Sequence, residues 1–85
     1  QYIFDGRTML HDVCKVMDIN SNVFNGVRGD ADSLAGLVLE LTGHFPEKGY
    51  VVEHENFIFT VEAKNGKRIE KVKIELLSDQ TETDN

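Results

Sequence analysis

Apolar and polar residues change rhythm along this chain, and the changes mark its elements. Tyr2-Ile3-Phe4 is a short aromatic and aliphatic run ended by Asp5-Gly6, the pattern of a first strand closed by a turn. After it the spacing becomes helical. Leu10, Val13 and Met17 share a face, Met9 and Val16 widen it, and Thr8 stands where an N-cap oxygen belongs, so a helix is predicted over 9–17. Residues 18–29 are rich in Asn, Gly and Asp and read as a loop pinned to the core by Val23, Phe24 and Val27.

The second helix has the clearest signal. Leu34, Leu37, Val38 and Leu41 recur at i, i+3, i+4 and i+7, and Ala35 and Leu39 extend the apolar surface. Asp30 and Asp32 offer capping oxygens and negative charge at its start, Gly43 sits at the C′ position, and Pro46 stops any continuation. Gly36 inside the helix implies close approach by another backbone.

From Gly49 onward the period is two. Tyr50-Val51-Val52-Glu53 forms one strand candidate, and Phe57, Phe59 and Val61 alternate with Ile58, Thr60 and Glu62 in the next. Asn65-Gly66 then supplies a type I′ hairpin signal, because both central residues of that turn need positive φ. A turn centred there sets Phe57 opposite Ile74 and Phe59 opposite Val72 on one apolar face. Glu62, Lys71 and Lys73, with Thr60 and Ile58, fall on the other. Together these elements predict an α+β domain: two helices on one face of a small, mainly antiparallel sheet of about four strands, ending in a hairpin at Asn65-Gly66. The domain spans residues 1–77, and 78–85 read as a disordered acidic tail with nothing to bury.

Composition narrows the classes of function. The 85 residues hold 40% hydrophobic and 28% charged side chains, one domain of the globular kind. The formal charge is −6, half of it in the tail, which argues against nucleic acid or an anionic membrane as the main partner. Cys14 is the one cysteine, so no internal disulfide forms. There is no apolar run of membrane-spanning length and no signal peptide. The start at Gln1 rather than Met reads as an excised piece of a longer protein.

Candidate chemistry is sparse. Asp18-x-Asn20-x-Asn22 matches the first three ligand positions of an EF-hand loop, but Val23 replaces the turn glycine and Gly29 the bidentate glutamate. An Asn-rich connecting loop accounts for it better. Asp18, Asn20 and Asn22, with Asp30 and Asp32, remain candidates for an adventitious divalent cation or, as an alternative function, for a divalent-cation sensor. His11 and Cys14 lie three apart on the first helix, yet two ligands do not make a zinc site, and no orienting group or oxyanion donor accompanies them as a nucleophile pair. Lys64, Lys67, Arg68, Lys71 and Lys73 gather on the hairpin, where Glu62, Glu70 and Glu75 interleave as on a solvated strand face. Neither a stacking platform nor a Gly-rich phosphate loop is present. The chain reads as no enzyme, requiring no cofactor.

The stretch from Gly29 to Pro46, with Ala35-Gly36-Leu37-Val38-Leu39-Glu40 followed by Gly43, resembles the central motif of the transporter-associated domain of the CorC/HlyC family. Phe4-Asp5-Gly6, Gly49, Asn56-Phe57-Ile58-Phe59-Thr60-Val61 and Gly66-Lys67-Arg68-Ile69-Glu70-Lys71-Val72 fall in the family's order, so the resemblance covers residues 2–76. The overall cast is similar to the gliding-motility-associated, hemolysin-like branch. The resemblance implies a regulatory or assembly module at the C-terminus of a magnesium and cobalt efflux or hemolysin-like protein. Its implied partners are a CBS-domain pair and a membrane domain of the same parent, with a homodimer as a further expectation, on the cytoplasmic side of the plasma membrane. The fold class also resembles a subdomain of flavin-binding proteins, so FAD or an adenine nucleotide is an expectation by fold analogy alone.

Overall fold

The computed structural model describes residues 1–20 and 22–77. Strand β1 (Tyr2–Asp5) is followed by helix α1 (Leu10–Met17) and helix α2 (Leu34–Thr42). Strands β2 (Val51–His54), β3 (Phe57–Asn65) and β4 (Arg68–Leu76) complete the chain. The four strands form one open antiparallel sheet in the order β1-β4-β3-β2, so the first strand docks beside the last. The expected tail over 78–85 lies outside the described residues.

One face of the sheet carries the core. Phe57, Phe59, Val61, Ile69, Val72 and Ile74 meet Leu10, Val13, Cys14 and Met17 of α1 and Leu34, Leu37 and Val38 of α2 in one buried cluster. Phe24 reaches the same cluster from the loop, 1% exposed, and packs its ring 5.4 Å from Phe57 and 5.9 Å from Phe59. The loop is thus held by an aromatic anchor, as the sequence pattern implies. Leu39 lies outside the core at 37% exposure, so the apolar surface of α2 is narrower than its composition suggests.

The hairpin turn falls one residue later than Asn65-Gly66. Asn65 pairs with Arg68, leaving Gly66 and Lys67 as the central residues, with Gly66 at φ 63°. A glycine with positive φ at the first central position suits a type II′ turn, which matches strand twist as well as type I′ does. The pairing moves with the turn: Phe57 faces Leu76 and Phe59 faces Ile74. A slip of two residues keeps every side chain on its face, which is why the apolar face of the hairpin survives the correction. An irregularity around Ala63 then brings Ile69 inward.

The helix starts also differ from expectation. The N-cap of α1 is Met9, with no side-chain cap bond, rather than Thr8. The cap of α2 is Ser33, whose Oγ accepts from the Gly36 N–H at 3.2 Å, rather than Asp30 or Asp32. Tertiary pairing does the rest. Leu10 N–H donates to the Asp32 carbonyl at 2.7 Å, while Leu34 N–H donates to Thr8 and Ala35 N–H to Gly6, each at 2.8 Å. A bridge between Met9 and Ser33 completes the link, so each helix start satisfies orphan donors of the other. Gly36 is crowded by the Ala31 side chain, whose Cβ a Cβ at position 36 would meet at 2.9 Å, so the close neighbour is a small side chain, with the backbone behind it at 3.6 Å, rather than the backbone the sequence implies.

Candidate functional site

Two surfaces remain once the core is accounted for. The first is the sheet face away from the helices. Ile3 pairs with Lys73, Lys73 with Thr60, and Thr60 with Val51, which draws one row across all four strands. Ile3 is 63% and Val51 55% exposed at the two edges of that row. Beside it Ile58 lies between Glu75 and Glu53. Lys73 Nζ stands 3.6 Å from Glu62 Oε2, and Lys64 Nζ pairs with Glu47 at 3.0 Å while lying 4.9 Å from the Phe45 ring centroid. The hairpin lysines are therefore partly neutralised within the domain. Such exposed pairs contribute little stability, about 0–1 kcal/mol each.

The second surface is a cavity of about 240 Å³ between the start of α1 and the loop. Leu10, His11, Asn22, Phe24, Asn25 and Arg28 line it. Consecutive turns build the loop: Val23, Asn25 and Val27 donate backbone N–H groups to Asn20, Asn22 and Phe24, each near 3 Å. Asn22 Oδ1 accepts from Asn25 Nδ2 at 3.1 Å, and Arg28 Nη1 donates to the Ala31 carbonyl at 3.1 Å. The cavity lies below the roughly 300–1,000 Å³ of pockets for drug-sized ligands, and a dinucleotide exceeds it.

The candidate cation ligands have local structural tasks. Asp18 ends α1 in the left-handed region at φ 58°, a conformation Asp tolerates. The Asn20 side chain accepts from the Asn22 N–H at 2.8 Å, and the Asp32 carboxylate lies 3.5 Å from Arg28. Among the described residues, no three His, Cys, Asp or Glu side chains come together to hold a metal ion. His11 and Cys14 part company: His11 is exposed at the cavity, whereas Cys14 is buried in the core, where desolvation pushes its thiol pKa up. That shift disfavours the thiolate a nucleophile needs. The cavity was not evident from spacing. Its one trace in the sequence is Asn22, Asn25 and Arg28, donors three apart that bracket the anchor Phe24 with no acid among them.

Comparison with known proteins gives the chain its relatives. The family model described as the transporter associated domain, CorC_HlyC, matches residues 1–78. The chain belongs to the CorC/HlyC transporter-associated domain family. Among solved structures, the transporter-associated domain of a CBS domain protein from Porphyromonas gingivalis superposes with a TM-score of 0.82 at 33% identity, over 89% of this chain and 87% of that one. A hemolysin domain from Enterococcus faecalis shares the fold at a TM-score of 0.75 and 22% identity, covering 91% and 88%. A CorC_HlyC domain of a Xylella fastidiosa hemolysin, solved in complex with Mg++ and Mn++, does so at 0.72 and 20%, covering 89% and 86%. No curated protein matches. The transporter-associated domain thus accounts for all of the described residues. Among the described residues no helix is long and apolar enough to cross a membrane.

Proposed function

We propose that this transporter-associated domain is a non-catalytic regulatory and assembly module of a CBS-domain-containing, hemolysin-like protein that exports divalent cations such as magnesium or cobalt, and that it works at the cytoplasmic side. The family match over residues 1–78 carries the reading, with the CBS domain protein of Porphyromonas gingivalis as the relative that supplies its context. The open sheet face gives the module its means. Ile3, Val51 and Ile58 offer apolar contact among charges of both signs, the mixture found where surfaces associate and separate. Its neighbours there are other parts of the parent protein or a second copy of itself.

The test uses the full parent protein in cells challenged with magnesium or cobalt. Deleting the domain, or placing Ile3→Glu and Ile58→Glu together on the open face, alters cation tolerance while the CBS and membrane parts are still made. Unchanged tolerance in both variants overturns the reading. Light scattering of the isolated domain distinguishes the neighbours: mass rising with concentration indicates a second copy, and a constant monomer mass assigns the face to the parent chain.

A further inference from the structure

The cavity beside α1 is ringed by hydrogen-bond donors, and we propose that it binds a small anion through a carboxylate or phosphate group. The wall supplies a guanidinium from Arg28, an imidazole from His11 and the side-chain amides of Asn22 and Asn25, with no carboxylate among the lining residues. Leu10 and Phe24 close its base, and at 5% and 1% exposed they are covered by the core and leave the polar wall as the contact surface.

The donors are aimed by their own contacts. Arg28 is held by the Ala31 carbonyl through one terminal nitrogen, which leaves its remaining N–H groups for a second acceptor, and a guanidinium offers five donors in a rigid fork. Asn22 spends its carbonyl oxygen on Asn25, so its amide N–H₂ is the end presented to a ligand. Leu10 and His11 begin α1. The Leu10 N–H is taken by Asp32 and those of Asp12 and Val13 by Met9, which leaves the His11 N–H at the electropositive end of the helix. The Asp32 carboxylate is the competing acceptor, 3.5 Å from Arg28, but its side chain is 74% exposed and the pair is screened by water.

Size limits the ligand. A cavity of about 240 Å³ has room for a carboxylate or phosphate group with ordered water beside it. The anionic group binds Arg28 and His11. The inference stands apart from the role of the open sheet face, since the cavity lies on the helical side.

Amide chemical-shift titration of the isotopically labelled domain tests it, with phenyl phosphate and benzoate as probes, inorganic phosphate for the bare anionic group and benzylamine as the cationic control. Saturating shifts at millimolar phenyl phosphate or benzoate, centred on His11, Asn22, Asn25 and Arg28, are expected. Arg28→Ala weakens them about tenfold, the loss of one charge-assisted hydrogen-bonding group, and Arg28→Lys recovers part of the affinity. The spectra themselves show whether each variant is folded. Shifts that never saturate, that spread equally over Lys67, Arg68 and Lys71, that benzylamine reproduces, or that survive Arg28→Ala would overturn the proposal. Inorganic phosphate shifts the same four residues, since the anionic group alone makes the contacts, and no response to it would overturn the proposal.

Discussion

Gly6 stands where the end of β1 meets both β4 and the start of α2. A Cβ added there would overlap the main-chain carbonyl oxygen of Ile69 and approach the Ala35 Cβ to 3.3 Å. Its N–H donates to Glu70 and its carbonyl accepts from Ala35 at the start of α2, both at 2.8 Å. The φ angle of Gly6 is not among the positive ones, so Gly6→Ala carries no left-handed strain and its whole cost is the collision. Overpacking of this kind costs about 1–3 kcal/mol, and moving the chain aside weakens one of the two hydrogen bonds, at about 1 kcal/mol more. A loss of ~3 kcal/mol is a large part of the roughly 4–13 kcal/mol expected of an 85-residue domain. In urea, with a slope of about 1.3 kcal/mol/M, the midpoint falls by about 2 M. Gly26→Ala is the control. Nothing lies within 4 Å of a Cβ there and its φ is not positive, so the same change stabilises by about 0.4–1 kcal/mol through the unfolded chain. A Gly6→Ala midpoint within error of the parent would refute the argument from contact.

Three further outcomes can be measured alongside. Phe24→Ala removes the ring that packs against Phe57 and Phe59 and costs about 3–5 kcal/mol in equilibrium unfolding; a loss under about 1 kcal/mol would mean that the loop is not anchored by it. Ser33→Ala deletes the cap on Gly36 N–H and costs about 1 kcal/mol, with Ser33→Asp retaining most of the stability. Asp5 accepts from the Arg7 N–H at 2.8 Å, and that bond lowers its pKa below the ordinary carboxylate value. Because the folded pKa is depressed, the contribution is present at neutral pH and disappears as acidification protonates the folded carboxyl. The urea midpoints of the parent and Asp5→Asn should therefore converge at low pH, and a constant gap would contradict the assignment.

The elements were legible because each is written in local periodicity: Leu34, Leu37, Val38 and Leu41 on α2, and Phe57, Phe59 and Val61 on β3. What escaped depends on partners distant in sequence. Thr8 has the right side chain for a cap, but its carbonyl is claimed by Leu34 and the helix begins one residue later at a bridge to Ser33. Asn65-Gly66 has the turn chemistry, yet one glycine with positive φ suffices for the turn centred on Gly66-Lys67, and only the finished sheet decides between the two. Cavity residues were harder still. The spacing of His11 from Cys14 suggests a pair that burial of Cys14 dissolves, while the neighbours of His11 come from a loop whose path no period encodes.

The exchange of backbone bonds between the two helix starts has a consequence for how the chain can come apart. Helices of 8 and 9 residues lie below the roughly 12–15 at which an isolated helix becomes even marginal in water. Neither is long enough to hold its shape alone, and the knot made by Gly6, Thr8, Leu10 and Asp32 ties both to the strand pair β1–β4. Clipping the first eight residues would remove the Gly6 and Thr8 carbonyls that hold the start of α2 together with β1 itself, leaving the Leu10–Asp32 bond of the Met9–Ser33 bridge to join the starts of α1 and α2.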